Sequence, residues 1–189
     1  MDKRETLVWT LPTRVFHWTL AGAFAIAWLT EDDFISLHEA AGYTILGLIA
    51  WRLVWGLVGP RHARFSDFVH GPRAVFGYLR DILGGHPRRY LGHNPAGGAM
   101  VVVLLVALLL TGLSGMATLA VEDGRGPLAG FAWLSGGGME WLEEIHEFSA
   151  NLTLGLVGLH VAGVVLAGRQ HGENLVAAML NGFKRREED

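Results

Sequence analysis

Four apolar stretches, at about 12–30, 36–58, 95–119 and 141–168, constrain this chain more than any other feature. Each is close to the roughly 20 residues an α-helix needs to cross about 30 Å of hydrocarbon. A polytopic, all-α membrane protein follows, a four-helix bundle in a single domain of 189 residues. Composition agrees: 51% of residues are hydrophobic, 17% are charged and mean hydropathy is +0.32. The first stretch does not read as a cleaved signal peptide, because Arg14, His17 and tryptophans interrupt it and "WLTEDDF" follows in place of a small-residue cleavage site.

Charge sets the expected topology. "EDD" at 31–33 separates the first two stretches, and Glu122, Asp123, Glu140, Glu143 and Glu144 lie between the last two. Those two segments hold one basic residue, Arg125; the other fourteen of the fifteen Lys and Arg lie at the N-terminus, in the 59–94 loop, at the C-terminus or at helix ends facing them. The positive-inside rule places both termini and the 59–94 loop in the cytoplasm. Nothing in this pattern calls for a nucleic acid. The chain has no cysteine, which excludes disulfides, iron–sulfur clusters, thiolate zinc sites and covalent CxxCH haem.

Local signals mark the helix starts. Pro12 sits in a first turn, "SLHE" at 36–39 has the form of a capping box, and Asn94 precedes Pro95. In the loop, 72–84 carries apolar residues at 75, 76, 79, 82 and 83 against Arg73, Arg80 and Asp81. Such a helix suits either the inner membrane interface or packing on the bundle ends. Glycines 42, 47, 112, 115, 155, 158 and 163 serve close helix approach or leave room for a flat ligand. The seven tryptophans, Trp133 among them, fall mainly near span ends, as an aromatic belt does.

Ionisable residues at membrane depth mark function. His146 and His160 stand fourteen residues apart on one apolar helix, about 21 Å of rise and close to four turns. They share a face, and the stripe between them, Ser149, Ala150, Thr153 and Val157, is slender enough to lie against something bulky. His17 falls near the inner side of the first stretch and His38 near the outer side of the second. Depth alone therefore pairs His17 with His160 and His38 with His146. Facing neutral imidazoles suit haem iron, which takes two axial nitrogens and carries an apolar macrocycle. Zinc wants four ligands in one place, and a proton relay wants buried carboxylates, of which only Glu39 and Glu147 occur, at the outer ends. His62, His70 and His86 read as solvated loop residues; His93 and His171 read as interfacial or ligand-binding.

"RVFHW", "LHEAAGY" and "IHEFSANLTLGLVGLH", with "GPRHARFSDFVHGP", "YLGHNPAGG" and "GENLVAAMLNG", make the chain resemble the prokaryotic dihaem cytochrome b561 and nickel–iron hydrogenase b-type cytochrome family over nearly its whole length. The resemblance implies two b-type haems between four helices, with axial ligands His17/His160 and His38/His146. It also implies electron exchange, at the bacterial inner membrane, between quinone and a periplasmic c-type cytochrome or oxidoreductase subunit. Quinone or quinol oxidoreductase activity and a homodimer stay open. Quinone or haem propionates would find donors in Arg14, Asn94, His93, Arg169 and His171 at the inner end, with an outer site near Glu39 and Glu147 as the alternative. Two other classes stand beside the electron carrier: a haem-binding or haem-free membrane anchor of a larger respiratory or hydrogenase-like complex, and a histidine-based metal or proton transporter.

Overall fold

A computed structural model describes residues 5–31, 33–131 and 140–186; Asp32, Trp133 and the side chain of Glu140 lie outside the described set. Its elements run β1 (Glu5–Leu7), α1 (Leu11–Leu29), α2 (Ile35–Val58), α3 (Phe65–Phe68), α4 (Pro72–Leu83), α5 (Pro95–Glu122), α6 (Glu140–His171), α7 (Leu175–Asn181) and β2 (Phe183–Arg185). Among the described residues, α2, α5 and α6 are long and apolar enough to cross a membrane. The fourth expected span, α1, has nineteen residues, but Arg14 and His17 dilute its apolar character. Large apolar side chains such as Leu57, Val106, Phe148 and Leu159 face outward, as lipid contact requires.

The chain clusters into two compact units. One holds the chain ends, 51–103 and the last stretch of α6 with α7; the other holds 20–50 and 104–156.

In the first unit β1 pairs antiparallel with β2, joining Thr6 to Lys184 in register. Val8 and Trp9 then pack with Ala178 of α7. Asn94 accepts the Gly97 amide at 2.7 Å and so caps α5 as expected, while Asn174 caps α7 through the Ala177 amide. Gly56 and Gly98 lie where helix and loop approach closest. A Cβ on Gly56 would overlap the Phe65 ring, and one on Gly98 would overlap the Phe68 carbonyl oxygen. Helix α4 has a packed side and an open one: Tyr78 is buried against Tyr90, whereas Phe76 and Leu83 are exposed. His62 is not a solvated loop residue. It sits at φ 70°, half-buried, with its ring beside Gly92, and burial together with Arg61 lowers its pKa. His70 and His86 are exposed as expected.

Arg89 and Lys184 both bind Glu173, whose carboxylate takes Arg89 Nε at 3.0 Å and Lys184 Nζ at 3.4 Å. Burial alone would push the Glu173 carboxyl up, but these two cations outweigh it and hold it below its ordinary value of 4.5. A lowered carboxylate pKa contributes stability that is present above 4.5 and is lost as pH falls through the lowered value. Glu173→Gln removes the carboxylate that Arg89 and Lys184 share and should cost about 3 kcal/mol. Thermal melts in detergent should show a lower midpoint at pH 7 and a weaker loss of stability on acidification below pH 4.5.

In the second unit α2 begins at Ile35, ahead of the expected cap: the Phe34 carbonyl accepts from the Leu37 and His38 amides. Glu39 does not reach back to close a capping box, because its carboxylate accepts from Arg125 at 2.9 Å. Leu142 of α6 packs on Ala117 and Ala120 of α5. Ser149 and Thr153 are fully buried, donate to carbonyls one turn back on α6, and bring Thr153 within 3.4 Å of Thr111 on α5. Those two members of the slender stripe therefore serve helix–helix packing. Gly112 and Gly115 also lie at close contacts, whereas glycines 42, 47, 155, 158 and 163 have no atom within 4 Å of a built Cβ.

Candidate functional site

Two histidine couples form, one in each unit. The rings of His17 (α1) and His160 (α6) have centroids 6.3 Å apart. The rings of His38 (α2) and His146 (α6) have centroids 5.9 Å apart. Imidazoles bound on opposite sides of one metal ion through bonds of about 2 Å leave their centroids roughly 6 Å apart. Both couples match that span. Among the described residues no group of three or more His, Asp or Glu is gathered for a metal ion. Two donors alone suit iron whose other four positions a macrocycle fills.

The second couple is oriented from behind. His38 Nδ1 lies 2.8 Å from the Ala27 carbonyl oxygen, and His146 Nδ1 lies 2.9 Å from that of Thr111. A carbonyl only accepts, so in each ring Nδ1 carries the proton and Nε2 keeps its lone pair for a metal. The Thr111 carbonyl also accepts from the Ser114 hydroxyl at 3.0 Å, and the Thr111 hydroxyl donates back to the Ala107 carbonyl at 2.9 Å. Gly115, one turn further along α5, gives the His146 ring its space: an added Cβ would stand 2.7 Å from Cε1 and 2.9 Å from Nδ1. In the first couple His17 Nδ1 is buried without a hydrogen-bond partner among the described residues, and its ring meets Trp18 edge-on. The four rings are all half-buried.

Of the other expected ligand contacts, some are engaged within the fold and others are not. Arg14 donates through Nη1 to the Leu180 carbonyl at the end of α7. Asn94 is the α5 cap. Arg169 is exposed and lines a groove of about 370 Å³ with Val165, Gly168, Gly172 and Val176. His171 Nε2 is buried without a partner among the described residues. His93 lies between the Trp9 and Phe68 rings, each centroid at 4.7 Å, with Nδ1 buried and unpaired. Burial, then the nearby cations Arg52 and Lys184, lowers its pKa to about 3. Glu39 is paired with Arg125, and Glu147 gives its carbonyl to the Asn151 side chain.

Sequence reasoning passed over Arg52, Phe68 and the carbonyls of Ala27 and Thr111, and it did not separate Gly115 from the other span glycines. For Arg52 a signal was present, a single charge inside the apolar run "LIAWRLVWGL".

Apolar helices carrying facing imidazole couples define a membrane-embedded helical cytochrome. The chain belongs to the prokaryotic cytochrome b561 family, whose profile matches residues 8–182. It is thus a membrane protein of electron transport that uses haem b. A probable Ni/Fe-hydrogenase B-type cytochrome subunit of Rhodobacter capsulatus is 24% identical, over 99% of this chain and 84% of that protein. Its counterpart in Azotobacter vinelandii is 26% identical over 96% and 89%. No solved structure matches the chain.

Proposed function

We propose that this protein carries electrons between the membrane quinone pool and a periplasmic redox partner through two haem b groups. His17 and His160 hold one, and His38 and His146 hold the other. The observation that carries the reading is the pair of imidazole couples, at 6.3 and 5.9 Å, with the second couple fixed by carbonyls so that both Nε2 atoms are free. Haem b, when held by these imidazoles, would supply one-electron chemistry. The chain's own part is to fix ring orientation, to supply an apolar surround and to hold the two sites fourteen residues apart along α6. The positive-inside pattern supports a cytoplasmic location for both termini and for the 59–94 loop. The open face of α4, with Phe76 and Leu83, then lies in the inner interface.

The relatives' names support the nature of the partner. Both are b-type subunits of a nickel–iron hydrogenase, so a chain of this family serving as the membrane subunit of a larger oxidoreductase complex is the second reading. One preparation tests both. Purified, dithionite-reduced protein should show b-type bands equal to two haems per chain, and quinol should reduce them. Bands equal to one haem, or none, sink the two-haem reading. Haems that quinol cannot reduce without a co-purified subunit favour the second.

A further inference from the structure

Arg52 is 4% exposed, in the second half of α2. Its guanidinium carbon stands 4.8 Å from the Phe65 ring centroid and 5.7 Å from that of Phe68. Aromatic faces attract a cation but leave its charge unneutralised. Nη1 is buried with no hydrogen-bond partner among the described residues, and no carboxylate there lies within ion-pair distance of this side chain. Arginine does not escape such a position by losing its proton. A buried guanidinium in an apolar wall calls for an anion that is itself carried into the wall.

The surroundings indicate which anion. Phe68, 1% exposed, lies against both Arg52 and His93, and Trp51, next to Arg52, stacks on Phe16, next to His17, with ring centroids 5.6 Å apart. Arg52 thus belongs to the neighbourhood of the His17/His160 couple. A quinone head is neutral and offers no counter-charge. Haem b carries two propionate carboxylates on the macrocycle its axial ligands clamp. Of the other arginines considered for such a role, Arg169 is exposed, and Arg14 donates to the Leu180 carbonyl through Nη1 while its Nε is buried without a partner among the described residues.

We propose that Arg52 is the counter-ion of a propionate on the haem held by His17 and His160, and that its charge raises the reduction potential of that haem. The inference rests on the ligand assignment above. A fixed cation beside the macrocycle favours the reduced form, which carries one positive charge fewer.

The test uses the purified two-haem protein in potentiometric titration. Arg52→Gln should lower the reduction equilibrium constant of the haem that His160→Ala removes by about tenfold, a fall of about 59 mV for a one-electron couple. The other haem should titrate unchanged. Arg52→Lys, which keeps the charge, should recover most of the potential. With haem labelled with carbon-13 in its propionates, the carboxylate stretch in the redox difference infrared spectrum should move in both variants. An unmoved potential and an unmoved band in Arg52→Gln overturn the proposal. Should that variant fail to insert, the band in Arg52→Lys decides, because an ammonium cannot reproduce the planar fork; an unmoved band overturns the proposal. Failure of the ligand assignment looks different: His160→Ala would then remove no haem at all.

Discussion

Replacing His160 by Ala should halve the haem content, from two per chain to one, and the surviving haem should be the one bound by His38 and His146. The second couple has its own orienting contacts, the Ala27 and Thr111 carbonyls, and neither depends on α6 beyond His146. His146→Ala should give the complementary half. A reduced-minus-oxidised spectrum with pyridine haemochrome quantitation reads both. His171→Ala, a histidine eleven residues beyond His160 on the same helix, should leave two haems and so controls for general damage to α6. His160→Gly offers a finer check, because added imidazole should restore the missing bands if the lost group was an axial ligand. Two haems surviving in His160→Ala would show that the pairing is wrong.

The couples were legible in the sequence because a transmembrane helix is a ruler. Rise per residue gives depth, depth gives partners, and His17/His160 and His38/His146 are the couples the structure brings together. Length and apolarity likewise gave α2, α5 and α6 to within a few residues. What could not be read was lateral. Whether a glycine faces a helix or open space depends on rotation about the helix axis, so Gly112 and Gly115 looked the same as Gly155 and Gly158 until contacts separated them. The same ambiguity hid the packing of Ser149 and Thr153 against α5. The β1–β2 pairing was missed for another reason. Three-residue strands at opposite ends of the chain carry no alternation long enough to notice. Arg52 was counted as a positive-inside residue, and only its burial marks it as something else.

Gly115→Ala should disable one haem site without weakening the fold. The residue lies inside α5, where Ala is favoured over Gly by about 1 kcal/mol, so helix propensity predicts no harm. The added methyl, however, would stand 2.7 Å from Cε1 and 2.9 Å from Nδ1 of His146. The ring has little freedom to yield. Its Nδ1–H is spent on the Thr111 carbonyl at 2.9 Å, and Ser114 Oγ lies 3.4 Å from the same nitrogen. Swinging the imidazole away breaks the contact that fixes its tautomer and direction, and losses of that kind cost metal sites about 10–100-fold in affinity. Spectra of the variant should therefore show the His38/His146 haem depleted, and the His17/His160 haem intact. Gly112→Ala is the paired control. Its methyl would meet Leu46 Cδ2 at 2.6 Å and Cγ at 2.8 Å, so the whole Leu46 side chain must shift, but no histidine is among its nearest neighbours and both haems should remain. Equal haem content in Gly115→Ala and the parent protein would mean that the His146 ring does not sit against α5 when the haem is bound, and the tautomer argument built on Thr111 would fall with it.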